Sequence, residues 1–307
     1  GNRKTVVDAN NNTTTYSYDG LNRIIREQDP LGKRTDTTYD EFGNAIRRVQ
    51  TDGATSRQTD YAYDVLHRLK TTDYADATPD VMRTYDAAGN LKVITDVNTN
   101  HGFSYDTLNR LTVDRDNMLG RELRYSNDSF DQRSKMEQYK DGSGIDRMFD
   151  YRYDNAGQVD TITTGADVYD FNHNADGTRD RLTRPNGSFT QYDYDTAKRL
   201  DSLNNRKPDS SVVSGFGYQY DNVGNRTRMD VTQDGSLNHT IQYGYDSLDR
   251  LTTETRTGAS PYALTRGYDP VGNRLSETRN GVSTTHAYNS GNELTQTNMP
   301  GPQVTSD

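Results

Sequence analysis

The sequence predicts an all-β chain of tandem β-hairpins wound into a curled, antiparallel sheet. Three observations carry that expectation. A Tyr-Asp dipeptide recurs from one end of the 307 residues to the other. Aromatic residues spaced two apart stand immediately before it. A glycine or asparagine follows the aspartate by three residues. A fixed period of roughly 20 to 50 residues marks a repeat architecture. It overrides the expectation of about two domains that length alone would set.

The copies are Tyr18-Asp19, Tyr39-Asp40, Tyr63-Asp64, Tyr85-Asp86 and Tyr105-Asp106, then Tyr153-Asp154, Tyr194-Asp195, Tyr220-Asp221, Tyr245-Asp246 and Tyr268-Asp269. Tyr125-Ser126, Phe171-Asn172 and Tyr288-Asn289 are degenerate copies. Together they make about thirteen repeats, roughly 18 to 28 residues apart. A single array is therefore expected over residues 1–297. The stretch 112–150, where Tyr125 lacks its aspartate, reads as an eroded repeat with a longer loop. Residues 298–307 carry Pro300 and Pro302 with no strand pattern and read as a tail.

Each repeat has a strand, a turn and a returning strand. In Thr15-Tyr16-Ser17-Tyr18 the two rings stand two residues apart, as they do in Tyr61-Ala62-Tyr63 and Tyr243-Gly244-Tyr245. Period two places both on one face of a strand. The turn follows. Asp19, Asp40, Asp86 and Asp154 suit its first position, where a carboxylate accepts from nearby backbone N–H groups. Gly43, Gly89, Gly157, Gly224 and Gly272 stand three residues later, and Asn22, Asn109 and Asp249 take that place elsewhere. These residue types tolerate positive φ. An apolar residue lies inside the turn, two after the aspartate: Leu21, Phe42, Leu66, Leu108, Val223, Leu248 and Val271. It is expected to plug the edge of the sheet. The chain then returns, as in Arg23-Ile24-Ile25-Arg26, and a polar connector such as Asp52-Gly53 or Asp234-Gly235 leads to the next aromatic pair.

Thirteen hairpins make about 26 strands, or roughly 125 Å of sheet at ~4.8 Å per strand. Open twisted sheets rarely pass ~10 strands without curling or splitting, so winding is expected. That width is about one turn around a lumen of roughly 40 Å, which is an open band.

Composition fits a long, thin core. Hydrophobic residues make up 30%, with 22 Tyr, 7 Phe and no Trp. The aromatic and β-branched content argues against disorder. The net charge is -9, from 45 acidic and 36 basic residues, and no basic run tracks a phosphate backbone. Nucleic acid is therefore excluded as an expected partner. With no Cys there is no disulfide or thiolate-metal framework. No stretch approaches the ~20 apolar residues of a membrane-spanning helix.

No catalytic, cofactor-binding or metal-ligating residue is expected. His67, His101, His173, His239 and His286 lie far apart, without ligand spacing. Asp8-Ala9-Asn10-Asn11-Asn12 and Asp96-Val97-Asn98-Thr99-Asn100 resemble the start of a calcium loop but lack its glycine and its closing glutamate, so they read as connectors. The aspartates recur because each turn needs one, which argues for turn duty over acid–base work. No nucleophile elbow, P-loop or dinucleotide fingerprint occurs.

The motif Tyr-Asp-x-x-Gly-Asn/Arg-Leu, over about Thr5 to Leu294, resembles the YD repeat of bacterial Rhs proteins, of the C component of Tc insecticidal toxin complexes, and of animal teneurins. The resemblance implies a hollow β-shell wound from hairpins. In bacterial members such a shell encloses a C-terminal toxic effector, released by self-cleavage. The implied function is a non-enzymatic structural module of a secreted bacterial protein, with the remaining repeats and the effector of the parent polypeptide as partners. The self-cleavage core of the family is not found; Asp29-Pro30-Leu31-Gly32 resembles a fragment of it but reads as a β-turn. Absence of cysteine-rich modules favours a bacterial source. The alternative reading is a cell-surface adhesin or glycan-binding array, able to self-associate edge to edge through exposed end strands.

Overall fold

A computed structural model describes residues 1–140 and 144–299. Most of the expected tail, residues 300–307, lies outside the described residues. Every regular element among the described residues is a β-strand, 27 in all, from Thr5–Val7 to Leu294–Asn298. The chain is all-β. It divides into two compact units, Gly1–Asp150 and Tyr151–Asp307.

Within the first unit successive strands pair antiparallel, beginning with Thr5–Val7 on Thr13–Tyr18 and ending with Arg133–Lys140 on the strand that starts at Ile145. Within the second, the same meander runs from Val159–Thr164 on Asp167–His173 to Val282–Tyr288 on Leu294–Asn298. Strand-to-strand order therefore follows the sequence, as tandem hairpins require.

Period two decides the faces. Thr13–Tyr18 alternates exposed and half-buried residues, with Tyr16 and Tyr18 on the half-buried side. Few of the described residues are buried: Thr72 in the first unit, and Phe189, Thr190, Gly215, Ile241 and Leu264 in the second. The core is a thin layer, in keeping with the low apolar content.

The pleat breaks at nine of the ten Tyr-Asp copies. Ser17 pairs with Arg26 but Tyr18 pairs with Ile24, leaving Ile25 as an extra residue. The same shift occurs at Tyr39, Tyr63, Tyr85, Tyr105, Tyr194, Tyr220, Tyr245 and Tyr268. A bulge bends its strand and increases local twist. Each of these repeats thus contributes a bend at the same point of the hairpin.

The stretch expected to be eroded carries the standard turn two residues on from Tyr125-Ser126. Asn127 stands where the tyrosine would, and Asp128 N–H donates to Gln132 O at 2.8 Å. Asp131 holds φ of 68° at the third position.

Candidate functional site: the Tyr-Asp turn and its neighbour

The aspartate closes its own turn. Asp64 N–H donates to Arg68 O at 2.9 Å, and His67 N–H donates to Asp64 O at 3.0 Å. The Asp64 carboxylate accepts from the N–H groups of Leu66 at 2.9 Å and Arg68 at 3.0 Å. Its second oxygen accepts from Arg68 Nε at 2.7 Å. Asp19, Asp106, Asp195 and Asp246 repeat the scheme with Arg23, Arg110, Arg199 and Arg250. Asp40, Asp86, Asp221 and Asp269 do so with the side-chain amides of Asn44, Asn90, Asn225 and Asn273. Asp154 accepts from the N–H groups of Ala156 and Gln158. Turn closure by a carboxylate demands a residue at positive φ three positions on. Gly43, Gly89, Gly157, Gly224 and Gly272 supply it, and so do Asn22, His67, Asn109, Lys198 and Asp249.

The tyrosine ties its repeat to the one before. Tyr39 Oη donates to Ile24 O at 2.9 Å, Tyr63 Oη to Ala45 O at 2.9 Å, and Tyr85 Oη to Leu69 O at 2.8 Å. Tyr18, Tyr105, Tyr220, Tyr245 and Tyr268 donate in the same way to Arg3, Leu91, Leu200, Arg226 and Leu251. Each ring is half-buried. Burial raises the hydroxyl pKa of Tyr63, Tyr105, Tyr194, Tyr220 and Tyr245, which keeps these hydroxyls as donors.

An arginine four residues after the aspartate reaches forward. The Arg23 guanidinium lies 4.6 Å from the centre of the Tyr39 ring and donates to Asp40 O at 3.1 Å. Arg68 treats Tyr85 and Asp86 O alike, at 4.5 and 3.4 Å. In the second unit Arg199 does so with Tyr220 and Asp221 O, and Arg250 with Tyr268 and Asp269 O. These links span 17 to 22 residues of sequence, so they were not readable from one repeat.

Two other expectations are settled by geometry. At six of the seven turns the apolar residue does not plug the sheet edge; Val271 is half-buried. Leu21, Phe42, Leu66, Leu108, Val223 and Leu248 are exposed, Leu21 at 70%. At that end of the hairpin the carboxylate is bonded instead to the side chain four residues on. The connectors resembling calcium loops are turns. Asp8 Oδ1 accepts from Asn10 and Asn12 N–H, and Asp96 Oδ1 from Asn98 N–H. Asp29-Pro30-Leu31-Gly32 is a turn of the same kind, with Asp29 Oδ1 accepting from Leu31 and Lys33 N–H. Among the described residues no group of three or more His, Asp or Glu is placed to hold a metal ion.

The turn carboxylates make stability acid-sensitive. Hydrogen bonds from the Arg23 N–H hold Asp19 below the usual carboxylate range, and the Arg68 and Asn44 side chains do the same for Asp64 and Asp40. Asp86, Asp106, Asp195 and Asp246 are lowered likewise. A depressed folded-state pKa stabilises the fold above the unfolded value of 3.8, and this is lost as pH falls through the folded values. Circular dichroism is therefore expected to stay constant from about pH 7 to 5 and to show cooperative loss of sheet below about pH 4. A transition centred near the histidine range would contradict the assignment.

The geometry defines a tandem β-hairpin scaffold in which the recurrent residues serve closure and inter-repeat contact. Residues 1–35 and 85–117 match the RHS Repeat family model. That match places Rhs repeats in those two segments. The crystal structure of TcdB2-TccC3-Cdc42 is similar in fold, with a TM-score of 0.57 at 15% identity. That match covers 92% of this chain and 19% of the other, so this chain spans about one fifth of its relative's length. The Tc holotoxin pore of Photorhabdus luminescens, with the TccC3-D651A mutation, also aligns at 14% identity over 92% of this chain and 22% of the other. Its TM-score of 0.38 adds nothing to the fold assignment. No curated protein matches the chain.

Proposed function

We propose that this chain is a stretch of shell wall in a secreted bacterial protein, and that the shell encloses or presents a C-terminal toxin effector of the same polypeptide. The chain is a structural repeat module, and the proposal gives that module its task. The observation that carries it is the use of the recurrent residues. The turn carboxylates and the tyrosine hydroxyls are engaged within or between hairpins, which leaves the motif to build surface and not to bind substrate. The likeness to a TccC3-containing structure supports the same reading at the level of fold. The wall itself is read as non-enzymatic.

Limited proteolysis of the parent polypeptide tests this. A C-terminal domain following the repeats should resist protease while the repeats are folded and be cut once acid opens them. A C-terminal domain cut equally fast in both states would overturn the proposal, as would a polypeptide that ends in a surface anchor with no such domain.

A further inference from the structure

We infer that adjacent turns recognise one another through a two-position code: the residue four after one aspartate selects the residue three after the next. The inference concerns how hairpins choose neighbours and stands whether or not the shell encloses an effector. Two kinds of junction occur. In the long kind an arginine reaches past the neighbour's third position to its backbone. Arg23 meets Asp40 O beside Gly43, and Arg68 meets Asp86 O beside Gly89. A Cβ built on Gly43 would stand 3.9 Å from Arg23 Nη1, and on Gly89 3.7 Å from Arg68 Nη1. Polar atoms beyond that Cβ would enter the place of the guanidinium. In the second unit Arg199 and Arg250 also precede glycines, Gly224 and Gly272, though a Cβ at either would meet nothing within 4 Å, so the close approach of the guanidinium is confined to Gly43 and Gly89.

In the short kind an asparagine cannot reach so far, and the neighbour's side chain comes to meet it. Asn44 Nδ2 lies 3.1 Å from His67 Nδ1, and Asn90 Nδ2 donates to Asn109 Oδ1 at 2.9 Å. Asn225 donates to Asp249 Oδ1 at 2.8 Å, and Asn273 to Asn292 Oδ1 at 2.9 Å. The same turn then carries an arginine at its own fourth position after His67, Asn109 and Asp249, so long and short junctions alternate. The two kinds account for the junctions from Asp19 to Asp106 and from Asp195 to Asn289; between them Gln158 Nε2 donates to Gly177 O at 2.8 Å and Lys198 Nζ donates back to Asp176 O at 3.1 Å, outside the rule. One further junction mixes the kinds. Arg110 faces Asp131, and there charge replaces space: Nη1 meets Asp131 Oδ1 at 3.0 Å. A glycine after arginine, an acceptor side chain after asparagine, and an acid as the exception form one rule of reach and charge.

A double-variant cycle in the full chain tests the rule, read by hydrogen exchange at the Asp40 and Gly43 amides, which the turn bonds protect. Gly43→Asn keeps a residue that tolerates positive φ, as Asn22 and Asn109 do. It should nevertheless speed exchange about 5- to 30-fold, because Arg23 loses its place. Arg23→Asn alone should also speed exchange. Arg23→Asn with Gly43→Asn recreates a short junction and should restore exchange to within about twofold of the starting protein. Asn44→Arg with His67→Gly forms a second cycle with the same expectation. Additive losses in both cycles would overturn the code.

Discussion

Leu264→Ala is expected to be the most damaging single truncation in the second unit, at about 2–5 kcal/mol. Leu264 is 3% exposed, in a chain with few fully buried apolar residues. It lies on strand Tyr262–Tyr268, directly across from Glu254 on one side and Arg279 on the other. The Arg279 guanidinium stacks 4.3 Å from the Tyr262 ring, and the Tyr262 hydroxyl donates to Glu254. Leucine therefore fills the space between two long side chains whose polar ends are already engaged. A methyl group cannot fill it, and those ends hold the neighbours from closing in. Urea unfolding should show a lower midpoint with little change in slope. A midpoint equal to that of the starting protein would mean the layer is not a core.

Gly258→Ala should follow closely, for a different reason. Gly258 sits at φ of 91°, and a Cβ there would meet Asn238 O at 2.6 Å and His239 Cα at 2.9 Å. Both are backbone atoms, so the clash cannot be relieved by turning a side chain. The positive φ alone costs about 1–3 kcal/mol for a residue with a Cβ. The clash forces the paired strand to move as well, because His239 pairs with Gly258. Gly224→Ala and Gly272→Ala are the controls. Their φ values are 101° and 103°, and a Cβ at either meets nothing within 4 Å. Gly258→Ala should lower the unfolding midpoint more than either. Equal losses at all three would assign the whole effect to backbone strain.

Much of the turn was legible in the sequence because its chemistry is local. An aspartate that binds N–H groups two and four residues ahead leaves its mark within five positions. At Lys198 and His67 the third position was not read from the sequence, because neither is a typical positive-φ residue, yet both hold it. The bulge at the tyrosine was not legible, because it shifts the register by one residue without changing composition. Leu66 was expected to cover the sheet edge, yet it is exposed, and at that end the Asp64 carboxylate is bonded instead to Arg68. The forward reach of Arg68 to Tyr85 and Asp86 joins separate repeats, and only the alternation of Arg and Asn after the turns hints at it.

These contacts give the Tyr-Asp motif two tasks: to close its own hairpin and to hold the next. In such arrays each repeat is coupled chiefly to its neighbours. Hydrogen exchange of the Asp64→Ala chain tests this most directly. Loss of the carboxylate should speed exchange in the turn from Asp64 to Arg68 and, through the released Arg68, in the turn from Asp86 to Asn90. The turn from Asp246 to Arg250 should exchange at its original rate. Unchanged exchange at Asp86–Asn90, or equal acceleration at all three turns, would contradict the account.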